Sequence, residues 1–154
     1  MKEVELLIPK ALEAVQFFLT TAEGSQIVQK EYDGYAASLG AAIRTSGLIP
    51  ALVFYSDVDK KENEPRRYKL LKAIAHTLGD VVNHHSNHDK RLLLERVLRE
   101  AYGQEIFNRQ VNRRNELQPI NHEPDRIVIK SWTSKIVYAS IALKLAMRNF
   151  KHSE

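Results

Sequence analysis

Residues 32–55, YDGYAASLGAAIRTSGLIPALVFY, carry the clearest ordering of apolar and polar positions in the chain. Tyr35, Ala36, Leu39, Ala42 and Ile43 recur at three- and four-residue steps, the spacing of one helix face, and the pattern stops at Ser46-Gly47. Gly47, with no Cβ to clash, suits the left-handed residue that closes a helix. The run Leu48, Ile49, Ala51, Leu52, Val53, Phe54 that follows is too short to cross a membrane and too apolar for a wet surface. It predicts a short buried element over residues 48–55, either a turn or a second helix.

The same period orders the rest of the chain. Leu7, Ile8, Ala11, Val15, Phe18, Leu19 and Ala22 predict a first helix ending near Gly24. Pro9 cannot donate a helical hydrogen bond, which places the regular start at about residue 9, after a looser turn. The second helix is predicted from residue 25 or 26 to residue 45. Residues 56–64 are polar and aperiodic and predict a surface loop.

Glu64-Pro65 opens the next helix, with Leu71, Ile74, Ala75, Leu78 and Val82 as its buried face and Arg66, Lys69, Lys72 and His76 on another. After a turn over residues 83–87, a helix from residue 88 or 89 carries Leu92, Leu93, Val97, Leu98, Ala101 and Tyr102, extended by Ile106 and Phe107. Residues 108–123 predict a long mobile loop. The last helix runs from near Pro124 to Phe150, with Val128, Trp132, Ile136, Ala139, Leu143, Met147 and Phe150 on one side. The sum is an all-α fold: a compact bundle of about five to six helices, with the last helix packed against residues 35–43.

At 154 residues the chain fits one domain, able to bury roughly 70% of its unfolded surface in a single core. It has no cysteine, which excludes disulfides and thiolate metal sites and fits a reducing cytoplasm. Glu3, Glu5, Pro9, Lys10 and Glu13 interrupt the first eighteen residues, so they lack the apolar core of a signal peptide or membrane span. A soluble, cytoplasmic protein with no membrane partner is expected.

Charge sharpens the picture. The net charge is +4, yet residues 1–50 hold four Lys/Arg against six Asp/Glu, so the remainder carries +6. On the last helix Arg126, Lys130, Lys144, Arg148 and Lys151 fall within a band of about 60°, and no acid interrupts residues 126–153. A second cluster is Lys60, Lys61, Arg66, Arg67, Lys69 and Lys72, and a third is Arg109, Arg113 and Arg114. Such faces are commonly just solvated. Their recurrence instead suits a phosphate backbone, bound through counterion release without reading of sequence.

Phe17, Phe18, Phe54, Trp132 and Phe150 sit in apolar stripes, so no stacking platform for bases is evident among them; Tyr68 and Tyr102 are the candidate exceptions, with a place at the core margin as the competing reading. Arg44, one turn from a helix end, favours the helix dipole or makes an exposed contact to RNA or a neighbouring subunit.

Catalytic constellations are sparse. There is no glycine-rich phosphate loop, no cysteine nucleophile and no Gly-x-Ser-x-Gly elbow. His84 and His88 have the i, i+4 spacing of two metal ligands, and His88-Asp89 resembles the dipeptide of the all-helical HD phosphohydrolases. That family needs a further histidine and a distant aspartate, for which His76 and Asp125 are the nominees. A metal-dependent hydrolase and a free-standing nucleic-acid-binding domain are therefore the alternatives. No cofactor is implied.

One stretch goes further. Tyr35 with Leu39, then Ile43-Arg44-Thr45-Ser46-Gly47-Leu48 and Ala51-Leu52-Val53-Phe54-Tyr55, resembles the signature of the small helical subunit of the type III-B CRISPR effector, the Cmr complex. Gly40 and Ser46 depart from the family pattern, where proline and asparagine are usual, but each keeps the local role of helix interruption or helix terminus. The resemblance implies a non-catalytic subunit of an RNA-guided ribonucleoprotein in antiviral defence. Its implied partners are neighbouring copies, the backbone subunits, the large subunit, and the guide and target RNA. The basic positions would line the RNA channel, and the acid-rich first fifty residues would meet a stacked copy.

Overall fold

The computed structural model describes residues 2–21, 26–56, 67–80, 92–103 and 123–152. Among them are six α-helices: α1 (Lys2–Ala14), α2 (Glu31–Ser46), α3 (Leu48–Tyr55), α4 (Arg67–Thr77), α5 (Leu92–Tyr102) and α6 (Arg126–Met147). The all-α expectation holds. α6 is the central post, packed most extensively on α1, then on α2, and also on α4 and α5.

Its buried side is Trp132, Ile136, Ala139, Leu143 and Met147, the stripe that the period predicts. Asp125 starts the helix, its carboxylate accepting from the Ile127 N–H at 2.9 Å and the Val128 N–H at 3.4 Å. The Asp125 N–H in turn donates to the Ala101 carbonyl at 2.8 Å, tying the end of α5 to the start of α6. α6 stops at Met147 rather than Phe150, because the next three N–H groups turn back to Leu145, Ala146 and Met147.

The first helix differs from expectation at both ends. Pro9 lies inside α1, which begins at Lys2. The helix tolerates the lost bond because Pro9 and Glu5, whose carbonyl it leaves without a donor, both face water, while Val4 anchors the preceding turn in the core. After Ala14 the helix widens into a π-helical turn, Val15–Leu19, and Thr20 is extended. The turn buries Val15, Phe18 and Leu19 together.

The second helix starts at Glu31, later than the period suggests. Ile27–Val28 instead forms a two-residue strand, β1, parallel to β2 (Lys151–His152), and Thr20 bridges Val28 from the other side. Val28 is fully buried there. A partner more than a hundred residues away therefore overrides local helix preference.

Between α2 and α3, Gly47 has φ +94° and ψ 165°. The positive φ is as its position predicts, but ψ is extended, so Gly47 occupies a region open to glycine alone rather than the left-handed helical well. Its N–H closes α2 on the Ile43 carbonyl at 2.9 Å, and its own carbonyl opens α3 by accepting from Ala51 at 3.2 Å. The chain turns sharply there with both helix ends satisfied.

α3 is amphipathic and not wholly buried. Leu48, Ala51, Leu52 and Tyr55 face the core at steps of three and four, which leaves Val53 and Phe54 exposed on the far side. α5 closes at Tyr102, where Gly103 takes φ +89° and donates to the Arg99 carbonyl. Ile106 and Phe107 lie outside the described residues, as do the predicted loops over 57–64 and 108–122.

Candidate nucleic-acid interface

The basic band on α6 is divided. Arg126, Lys130 and Arg148 are exposed and Lys144 is half-buried. Lys130 and Lys144 are about 21 Å apart along the axis at 1.5 Å per residue. Between them the same face presents Thr133, Val137 and Ile141, against which α2 lays Ala36, Ala37 and Gly40. These small residues leave a half-open groove of about 430 Å³, also lined by Ser140, Arg44 and Lys144.

Two cations thus stand near each end of α6, with a groove between them that is mostly apolar along its floor and bordered by Arg44 and Lys144. The Ser140 hydroxyl is buried and has no hydrogen-bond partner among the described residues. Lys151 leaves the helical band altogether, since it belongs to β2. A wheel drawn beyond Met147 therefore misplaces it. Arg44 is exposed in the last turn of α2, where its charge suits the helix end.

In the second cluster Arg67 is exposed, Lys69 half-buried and Lys72 buried. Lys72 is only 6% exposed, its Nζ 5.9 Å from the Tyr68 ring centroid, so it does not belong to a surface that meets a polyanion. Every residue from Leu70 to Ala75 is buried, because α4 packs against α1, the π-helical turn, α6 and α2 at once. Over residues 70–75 the helix therefore presents no basic face, and of the described cations of this cluster Arg67, at the helix start, is the exposed one. Lys60, Lys61, Arg66, Arg109, Arg113 and Arg114 lie outside the described residues.

The aromatics also depart from expectation. Tyr68 is buried and Tyr102 half-buried, but Phe54 is 59% exposed and Phe17 is exposed as well. Arg67 places its guanidinium carbon 4.9 Å from the ring centroids of both Tyr35 and Phe54. The helical period inside LIPALVFY, with core positions at 48, 51, 52 and 55, is the signal that turns Phe54 outward. Reading the run as uniformly buried hides it.

Two of the residues nominated for metal chemistry, His76 and Asp125, have other roles. His76 Nε2 lies 3.1 Å from Glu13 Oε2, and its ring meets Phe17 and Phe18 edge to face. That hydrogen bond, assisted by Lys10, holds the Glu13 carboxyl below its usual range. Asp125 caps α6. His84 and His88 lie outside the described residues, and among the described ones no group of three His, Cys, Asp or Glu could hold a metal.

Trp132 anchors a further charged cluster. Its indole N–H donates to Glu100, with Arg96 and Lys135 over its ring at 5.0 and 4.8 Å. Arg96 also pairs with Asp80.

The class is that of a small α-helical bundle with cations on its surface and, among the described residues, no helix long and apolar enough to cross a membrane. The model of the CRISPR-associated protein family Cas_Cmr5 matches residues 8–107, and the chain belongs to that family, the small subunits of the type III-B CRISPR Cmr complex. No curated protein and no solved structure matches the chain.

Proposed function

We infer that this chain is a non-catalytic small subunit of a Cmr ribonucleoprotein, placing cations beside the guide and target RNA while base pairing supplies sequence specificity. Membership of the small-subunit family supports the assembly. The RNA contact rests on one observation: Arg126, Lys130 and Arg148 are exposed on or beside a helix whose span holds no acid.

Such positions neutralise phosphates and release counterions, so affinity falls as salt rises. The two cationic ends of α6 suit successive contacts along a backbone rather than one pocket. The chain's partners in this reading are the backbone subunits, the large subunit and neighbouring copies, with cytoplasmic defence as the setting. Exposed Glu3, Glu5 and Glu31 offer a face of opposite sign to a stacked copy.

Replacing Arg126, Lys130, Lys144 and Arg148 with alanine tests the contact. RNA affinity should fall, and the slope of log affinity against log salt should flatten by about 0.7 for each single-strand phosphate deprived of its cation. An unchanged affinity and slope would remove these residues from the RNA surface. Co-purification of the tagged chain from its host tests the assembly: a backbone subunit, a large subunit and a repeat-derived RNA should come with it.

A further inference from the structure

The cluster where α3 meets α4 combines features that protein packing alone does not require. Tyr55 is buried and hydrogen-bonded to α2, which fixes the base of the cluster. Phe54 stands beside it, ring centroids 5.9 Å apart, with more than half of its surface in water. Arg67 lies over Tyr35, Phe54 and Tyr55, and it has no ion-pair partner among the described residues.

An exposed phenylalanine forgoes the free energy of burial. A guanidinium on its ring recovers part of that, but keeps its in-plane N–H donors free for an anion. The partner that answers both demands offers a flat π-surface and an anionic oxygen a few ångströms away. An unpaired nucleotide does so, through its base and its flanking phosphate. A base within a duplex does not, because its faces are already covered by its neighbours.

We propose that Phe54, Arg67 and Tyr35 form a stacking site for one unpaired nucleotide of RNA, with Phe54 receiving the base and Arg67 the adjacent phosphate. The proposal rests on the RNA-contact reading above and adds a site away from the α6 cations. Tyr35 and Tyr55 set the position of the guanidinium from below. The site prefers single strands and tolerates any base, since every base has a π-face.

The test uses the full chain, alone and in its co-purified complex. It measures binding of a single-stranded oligoribonucleotide and of a fully paired duplex of equal length over a range of salt. Phe54→Leu keeps an apolar side chain but removes the ring, Phe54→Trp restores one, and circular dichroism confirms that each folds. Phe54→Leu should weaken single-strand binding about 5- to 150-fold, the range set by stacking on one aromatic. Duplex binding and the salt slope should stay as they are, with Phe54→Trp close to wild type. A 2-aminopurine base in the strand should lose its quenching only in Phe54→Leu.

If Phe54→Leu binds single strands like wild type while the four-alanine α6 variant does not, the stacking site is wrong and the RNA reading stands. If wild type binds no RNA in either form, both fail. If Phe54→Leu loses protein partners with RNA binding intact, the face is a protein interface and the proposal is overturned.

Discussion

The phenol of Tyr55 donates to the main-chain carbonyl of Tyr35 at 2.9 Å, joining the last residue of α3 to the first turns of α2. With its proton committed there, the phenol oxygen accepts from Ser38 Oγ at 2.6 Å. These bonds fix how α3 folds back after Gly47. Phe at position 55 keeps the ring but removes both bonds, so Tyr55→Phe should cost about 1–2 kcal/mol. Denaturant unfolding, monitored against the wild type with an unchanged m-value, checks this; an unaltered midpoint would show the bonds to be stability-neutral.

Gly47 and Gly34 should respond in opposite directions to alanine. A Cβ on Gly47 meets only Pro50 Cδ at 3.7 Å, an ordinary contact, so space is not the obstacle. The backbone is: φ +94° with an extended ψ should make Gly47→Ala destabilising by about 1–3 kcal/mol. Gly34 lies inside α2, where an added methyl would meet nothing within 4 Å, and Gly34→Ala should stabilise by about 0.5–1 kcal/mol. Thermal melts of the two variants, shifted to opposite sides of wild type, are the expected result.

Glu13 carries a pH signature. Its hydrogen bond to His76, with Lys10 adding a favourable charge, lowers its folded-state pKa below the ordinary glutamate value. The linked stability is therefore present above the unfolded glutamate pKa and is lost as pH falls through the lowered folded value. A carbon-detected NMR titration should place the Glu13 midpoint below the ordinary glutamate value. In His76→Ala it should move back up, and a Glu13 midpoint that ignores the histidine would refute the linkage.

The acids of α1 offer a test of stacking. Glu3 and Glu5 are exposed, and reversing both to lysine should leave the fold intact, because neither is buried. Self-association or retention in the purified complex should weaken, and weaken less at high salt, where the original attraction is already screened. Intact assembly at low salt would discard this face as an interface.

Local periodicity by itself determined the helical class, the break at Ser46-Gly47 and the buried stripe from Trp132 to Met147, because a helix's hydrogen bonds and faces repeat within a few residues. The residue identities over 35–55, rather than their period, carried the resemblance to the family. What surrounds each helix is set by partners far along the chain, and there only the tertiary structure decided. Pro9 stays helical because Val4 is buried, and Val28 leaves the predicted helix to pair with β2. Lys72 is enclosed by the elements around α4, and α2 covers the middle of the α6 band, leaving its cations at the ends. Phe54 faces water beside Arg67 because α3 has core on one side only.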